Sequence, residues 1–302
     1  MLKILEVPQV FMPTEITPYP RHQIGQGLEY QVENYLKEHK REIQTDRIFL
    51  PIKWTQYQIS ARYGKDKFLM DRLRNFCNST FGGSCKFFSV NQSSMKKYFT
   101  VVQYDDGALC GIINCCFFGA GGIGDIAIPL TTEPHPFSGH VKRHFATFRG
   151  SIGTHDIRKQ MMEELHEAPL FQIENVATSK QLMQSFVRYT EESVFSLCPR
   201  GYGKTSFRLY EAMQLGSVPI YISDEHWLPF TKYLDWNKFC VIIKPDEIKM
   251  LPQRLYDLYY SGEWKAMAAE ARRVYDEYFC FEACSKMIVK ILEEEYRDNH
   301  KV

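Results

Sequence analysis

Residues 197–212 read LCPRGYGKTSFRLYEA, and the folding of this stretch decides the class of the protein. It copies parts of two phosphate-binding loops. Gly203-Lys204-Thr205 ends like G-x-x-x-x-G-K-[ST], but the first glycine of that loop would fall on Cys198. Gly201 and Gly203 open a G-x-G-x-x-G whose third glycine would fall on Ser206. Each pattern fails at one position, which argues against a P-loop kinase or ATPase and against a dehydrogenase. What remains is a glycine-bearing turn between a strand and a helix. Val194–Cys198 is apolar and β-prone, Pro199 ends it, Thr205 or Ser206 suits an N-cap, and Gly216 suits the C-terminal end of the helix. Unpaired N–H groups and the positive end of the dipole make such a helix start an anion site.

Arg208 and Glu211 stand three residues apart, on one face of that helix. A guanidinium near a helix N-terminus suits a diphosphate, and a carboxylate one turn on can accept both hydroxyls of a ribose. A sugar nucleotide carries both groups. The ordinary alternative is an ion pair on a solvated crossover helix, which leaves Arg200, Thr205 and Ser206 without a task.

Working outward, strands and helices alternate on both sides. GLEYQVENYLKEHK and GKDKFLMDRLRNFCNST have helical periodicity, whereas RIFLPIKW, YFTVVQYDDG and LCGIINCCFFGAG read as strands. PLTTEPHPFSGH, residues 129–140, is the linker candidate. Beyond it HFATFRG, VFSLCP and SVPIYISD read as strands, with helices in THDIRKQMMEELHEA, QLMQSFVRYTEES and three C-terminal segments. Such alternation predicts parallel α/β sheets in two halves, with ligand bound in a cleft between them.

Composition excludes several classes. Lys+Arg 37 against Asp+Glu 36 leaves no bulk field for nucleic acid or an anionic membrane. No apolar run reaches the roughly 18 residues of a membrane span, and Pro8 and Pro13 interrupt the start before a signal-peptide core can form. The nine cysteines are odd in number and lie mostly in apolar segments, which predicts reduced thiols and a cytoplasmic protein.

The segment SLCPRGYGKTSFRLYEAMQLGSVPIYISDEHWLPF resembles the exostosin family of glycosyltransferases, family 47. It holds a C/HPRG turn, an S-x-R-L-[FY]-[DE]-A helix, a G-x-[IV]-P-[IV] strand, then SD and LPF, in order. GDIAIPL and FATFRGSIGTHDIRKQMM resemble further family segments, and YFTVVQYDDG stands where members have a strand ending in H-D-x-G, with Tyr104 in place of the histidine. The resemblance implies a GT-B fold. Two Rossmann-like domains with parallel sheets would face a central cleft, 1–135 on the acceptor side and 136–302 on the nucleotide-sugar side, the last helices crossing back.

It also implies an inverting transfer from a UDP-sugar to a glycan hydroxyl, with no tightly bound cofactor and no divalent metal. Arg149, Arg158, Arg200 and Arg208 would stabilise the leaving diphosphate with Gly201, Thr205 and Ser206 of the turn, and Glu211 would hold the ribose. For the base the choice is Asp105, then Asp106, at the C-terminal end of a strand where an open sheet meets its ligand; Asp-Asp-Gly is equally ordinary turn chemistry. A short form without an anchor resembles the stand-alone exostosin-like proteins of large algal viruses, one a xylosyltransferase acting on a capsid-protein N-glycan. That implies UDP-xylose as donor, a fucose-bearing acceptor, the host cytoplasm as site and other glycosyltransferases as partners. Another pentose, galactose or glucuronate donor would fit the same residues. A GT-B module that binds nucleotide or glycan without turnover, or partners an active homologue, is the alternative.

Three patterns are read as structural. Gly119–Gly124 spells G-x-G-x-x-G, but an extended segment follows instead of a helix. His140 and His144 lack an obvious third ligand, and the pair Cys280 and Cys284 stands alone.

Overall fold

The computed structural model describes residues 1–13, 16–20, 26–81, 96–112, 114–176 and 180–301. The chain divides into two compact units, one of Met1–Tyr19, Gly25–Ile128 and Cys284–Val302, the other of Pro20–Ile24 and Pro129–Ala283. Each contains a five-stranded parallel sheet, so the fold class is α/β with two Rossmann-like units, the make-up of a GT-B chain.

Unit 1 runs β1 (Lys3–Ile4), α1 (Leu28–His39), β2 (Ile48–Phe49), α2 (Trp54–Ser60), α3 (Lys67–Phe81), β3 (Tyr98–Val102), β4 (Cys115–Gly119) and β5 (Ile126–Ala127). Its strands lie in sequence order, so this sheet has no point at which the winding reverses. Of the apolar run LCGIINCCFFGAG, predicted as one strand, only Cys115–Gly119 pairs; Asn114 takes a left-handed φ of 60° and delays entry into the ladder. The short helix α2 went unread because its polar residues are buried. Trp54 donates to Thr100, and Gln58, fully buried, bonds Gly107 O and Leu109 N. Packing against β3 decides this segment where periodicity says nothing.

The loop of residues 119–124 returns from β4 to β5 without a helix, as its extended sequel predicts. Its glycines serve contact. A Cβ on Gly121 would come within 2.4 Å of Asp105 Cα and 2.6 Å of Tyr104 O, so the loop lies directly against the β3 exit.

Unit 2 runs β6 (His144–Gly150), α4 (Asp156–Leu165), β7 (Phe171–Asn175), α5 (Lys180–Glu191), β8 (Ser193–Pro199), α6 (Phe207–Gln214), β9 (Val218–Ile222), β10 (Val241–Ile243), α7 (Leu251–Ser261), α8 (Trp264–Val274) and, on the C-terminal side, α9 (Phe281–Asn299). From Cys284 onward α9 belongs to unit 1, where Arg47 Nε meets Glu295 at 2.9 Å and Gln44 N donates to Glu293. The sheet order is β7-β6-β8-β9-β10. Winding therefore reverses between β6 and β8, and ligands of open α/β sheets bind outside the carboxyl ends of the strands at such a switch point. Phe148, Phe195, Leu197, Ile220 and Ile222 are among the sheet residues that build the core, covered by Ile157, Met161 and Leu165 of α4. Neither β7 nor β10 was read in advance; FQIEN is half polar and VII is too short for periodicity.

The eight described cysteines are free thiols, and Cys85 lies outside the described residues. His140 and His144 sit beside Glu191 and Glu192, with His144 also stacked on Tyr189. Because the backbone of residues 104–105 closes on the 119–124 loop, Gly121→Ala is expected to destabilise the protein by about 1–3 kcal/mol, read as a lower urea midpoint with unchanged slope.

Candidate active site

At the switch point of unit 2 the exits of β6 and β8 meet the start of α6. Arg158 of α4 joins them. Its Nε donates to Arg200 O at 2.8 Å, Nη1 to Ser151 O at 2.9 Å, and Nη2 to Pro199 O at 3.2 Å and Ser206 Oγ at 3.4 Å. These bonds make Arg158, 7% exposed, a clamp for both loops. The resemblance implied a diphosphate ligand at this position, but these donors already serve backbone carbonyls.

The turn that follows is fixed from within. Gly201 N donates to Thr205 O at 3.0 Å, and Arg200 Nε to Gly203 O at 3.0 Å. Arg200 Nη1 reaches Asp224, beyond the end of β9, with Glu225 at 3.8 Å. Partial burial raises the Asp224 pKa, but the hydrogen bond and charge of Arg200 outweigh that and hold it below the usual carboxylate range. Of the two N-cap candidates the structure selects Ser206, whose Oγ accepts from Arg208 N at 3.4 Å. His155 caps α4 in the same way through Nδ1, and burial together with the nearby Arg200 charge lowers its pKa, which suits the neutral ring that an accepting nitrogen requires.

Arg208 and Glu211 do not form a solvated surface pair. The Arg208 guanidinium lies 4.7 Å from both the Phe148 and Phe186 ring centroids, and Nη2 donates to Arg149 O at 2.7 Å. A Cβ on Gly150 would approach that Nη2 to 2.5 Å, so the glycine ending β6 makes room for the arginine. Burial lowers the Arg208 pKa, yet a guanidinium remains charged in a protein. Glu211 is 5% exposed, with its Oε1 2.9 Å from His135 Nε2. Arg149 turns away from Arg208, towards Glu174 at 2.9 Å and the Tyr189 ring.

Among the described residues, three buried donors here have no acceptor: Thr154 Oγ1, Thr205 Oγ1 and Arg208 Nε. Thr205 is 1% exposed, and Thr154 Oγ1 lies 4.0 Å from the Cβ position of Gly201. Buried polar groups are normally bonded, so orphaned donors clustered at a switch point and a helix start mark a place where an anion's oxygens would be held. Thr154, Phe148, Phe186 and His135 escaped sequence reading. Thr154 and Phe148 lie inside FATFRGSIGTHDIRKQMM without a role that the pattern assigns, and the aromatics look like core. His135, for its part, looks like linker.

Asp105 and Asp106 lie in unit 1, just past β3. Tyr19 Oη donates to Asp105 Oδ2, and Gln103 holds Tyr19 O through Nε2 at 3.1 Å and Leu28 N through Oε1 at 2.9 Å. Gln103 N in turn donates to the buried Glu29 carboxylate at 3.0 Å. Burial raises the Glu29 pKa despite the opposing bonds from Gln103 and Thr55. It also raises the Tyr19 hydroxyl well above its ordinary value, with the Asp105 charge adding to the shift, so Tyr19 stays a donor. Asp106 is exposed on the turn closed by Gly107 N to Tyr104 O at 3.0 Å. Among the described residues no three His, Cys, Asp or Glu side chains are grouped to hold a metal ion.

Residues 120–258 match the family model described as the Exostosin GT47 domain. Over 145 residues the chain is 27% identical to "Probable glucuronosyltransferase GUT1" of Oryza sativa subsp. japonica, covering 42% of this chain and 34% of the relative. Over 86 residues it is 36% identical to "Exostosin-1 homolog" of Caenorhabditis elegans, covering 28% and 22%. The chain thus spans about a third or less of the length of these relatives. Sucrose-phosphate synthase from Thermosynechococcus elongatus aligns with 90% of this chain and 78% of its own at 10% identity, with a TM-score of 0.43. The matched stretch, residues 120–258, contains the switch point; Asp105 and Asp106 stand before it.

Removing the clamp leaves several buried carbonyls without a donor. Arg158→Ala is therefore expected to cost about 2–4 kcal/mol in urea unfolding, and Arg158→Lys, which cannot reproduce a planar fork, to recover less than half of the loss.

Proposed function

We propose that the protein is an inverting glycosyltransferase that takes its sugar from a nucleoside-diphosphate donor. The observation that carries this reading is the cluster of unpartnered donors of Thr205, Thr154 and Arg208 at the switch point, inside the stretch that matches the Exostosin GT47 domain. A leaving diphosphate gains negative charge as the glycosidic bond breaks. Arg208, the two threonine hydroxyls and the N-terminus of α6 supply fixed positive charge and donors for it. Because these groups are already in place, little reorganisation is needed when the bond breaks. Glu211 is assigned to the ribose, with His135 fixing its orientation. Arg158 and Arg200 hold the turn in shape.

On the acceptor side the incoming hydroxyl must lose its proton as it attacks the anomeric carbon. Asp105 is assigned this role, its carboxylate oriented by the Tyr19 hydrogen bond. One bond forms from the acceptor oxygen to the sugar, the bond to the diphosphate oxygen breaks, and the proton passes to the carboxylate.

UDP is proposed as the nucleotide and xylose as the sugar, delivered to a fucose hydroxyl of a glycan. The support for this finer assignment is the sequence resemblance to stand-alone exostosin-like proteins. The rice relative's name points to glucuronate, so UDP-glucuronate is the competing donor. The free thiols of the described cysteines support a reducing compartment, and we assign the protein to the cytoplasm.

Purified protein offered UDP-xylose, UDP-glucuronate, UDP-galactose and GDP-sugars, with EDTA or with Mn²⁺, is expected to release nucleotide from one donor. Arg208→Ala should lower that rate by about 10²-fold or more and remove the melting-temperature increase produced by UDP. Absence of turnover from every donor, with no UDP-dependent shift, would sink the assignment; a UDP shift without turnover would favour a binding module.

A further inference from the structure

We propose that Tyr63 is the stacking platform for a pyranose ring of the acceptor. This rests on the glycosyltransferase reading above and adds a subsite of unit 1 to it.

Tyr63 is 60% exposed, and its ring packs beside that of Tyr104, the centroids 6.4 Å apart with planes 26° from parallel. Its backbone is strained: Arg62, Tyr63 and Gly64 take consecutive φ values of 51°, 57° and 80°. For non-glycine residues such a conformation costs about 1–2 kcal/mol each, and it persists only where surrounding contacts dictate it. Those contacts are present. Tyr63 N donates to Gln58 O at 2.8 Å, Asp66 N to Ala61 O at 3.0 Å, and a Cβ on Gly64 would reach Leu109 Cδ1 at 2.8 Å.

The same frame carries the proposed base. Buried Gln58 binds the backbone of Gly107 and Leu109, fixing the exit of the Tyr104–Gly107 turn to the helix that presents Tyr63. Tyr104 packs on Tyr19 at 5.9 Å, and Tyr19 bonds Asp105. Three tyrosines thus form a continuous aromatic row, one end open to solvent and the other bonded to a carboxylate. Sugar rings present an apolar C–H face and a rim of hydroxyls. An aromatic face beside carboxylates and phenolic hydroxyls matches both, and a rigid tyrosine gives contact area at low entropic cost.

The test uses the full chain and three probes: methyl fucopyranoside, methyl galactopyranoside and methyl xylopyranoside. In saturation-transfer NMR at least one probe is expected to receive signal from the wild type through its ring protons, with most of it lost in Tyr63→Ala and retained in Tyr63→Phe. Where the wild type transfers sugar to a probe, Tyr63→Ala should raise the acceptor KM about tenfold, as expected for loss of one aromatic contact, with kcat changed much less. The UDP-induced melting shift should equal that of wild type in both variants, showing that unit 2 is intact. Transfer signal undiminished in Tyr63→Ala, an acceptor KM within about twofold of wild type, or no signal from any probe on the wild type would overturn the proposal. Failure of all donors to turn over would instead strike the glycosyltransferase reading, and the NMR comparison would still decide the role of Tyr63.

Discussion

The Arg158 guanidinium is the contact on which the donor-side geometry depends. Two chain segments leave the sheet at the point where its winding reverses, and past the strand ends only isolated ladder bonds such as Arg200 N to Ile222 O reach them. A planar fork of donors from α4 bonds carbonyls on both segments and the cap residue of the next helix. With those carbonyls committed, the turn from Gly201 to Ser206 keeps one shape, α6 starts in one direction, and Arg208 threads between two aromatic rings. The neighbouring orphaned donors persist because the frame around them is satisfied. Buried polar networks are stable when closed, and among the described residues Thr154 Oγ1, Thr205 Oγ1 and Arg208 Nε are left without a partner inside that frame.

Unit 1 solves a similar problem with neutral groups. Gln103 and Gln58 are buried amides, each bonded to backbone on both its oxygen and its nitrogen, and they fix the two ends of the loop that bears Asp105. Gly121 admits the neighbouring loop against the same backbone. Strain at Arg62 and Tyr63 is sustained by this frame.

Motifs with a local cause were legible. The strand, proline stop, capping serine and terminal glycine of residues 194–216 act through backbone preferences within a few residues, and they folded as read. Arg208 could be singled out because helix periodicity places it on the first turn. The arginines could not be told apart. Arg158, Arg200 and Arg208 have the same chemistry and similar spacing from family motifs, yet one clamps carbonyls, one bonds Asp224, and one keeps an unbonded Nε. Those choices depend on partners 24 to 59 residues away in sequence, which no local pattern encodes. The same holds for His135 beside Glu211 and for the buried polar helix α2.

The amino-acid sequence by itself determined the α/β class and the strand–turn–helix of residues 194–216. These follow from hydrophobic periodicity and from the short-range sterics of proline, glycine and capping residues. Only the tertiary structure decided the strand order that creates a switch point in unit 2 and none in unit 1, the separate duties of the arginines, and the row from Tyr63 to Asp105. Each requires segments distant along the chain to meet, and such meetings are selected by packing and by the need to pair every buried polar group, a condition on the whole fold and not on any stretch of it.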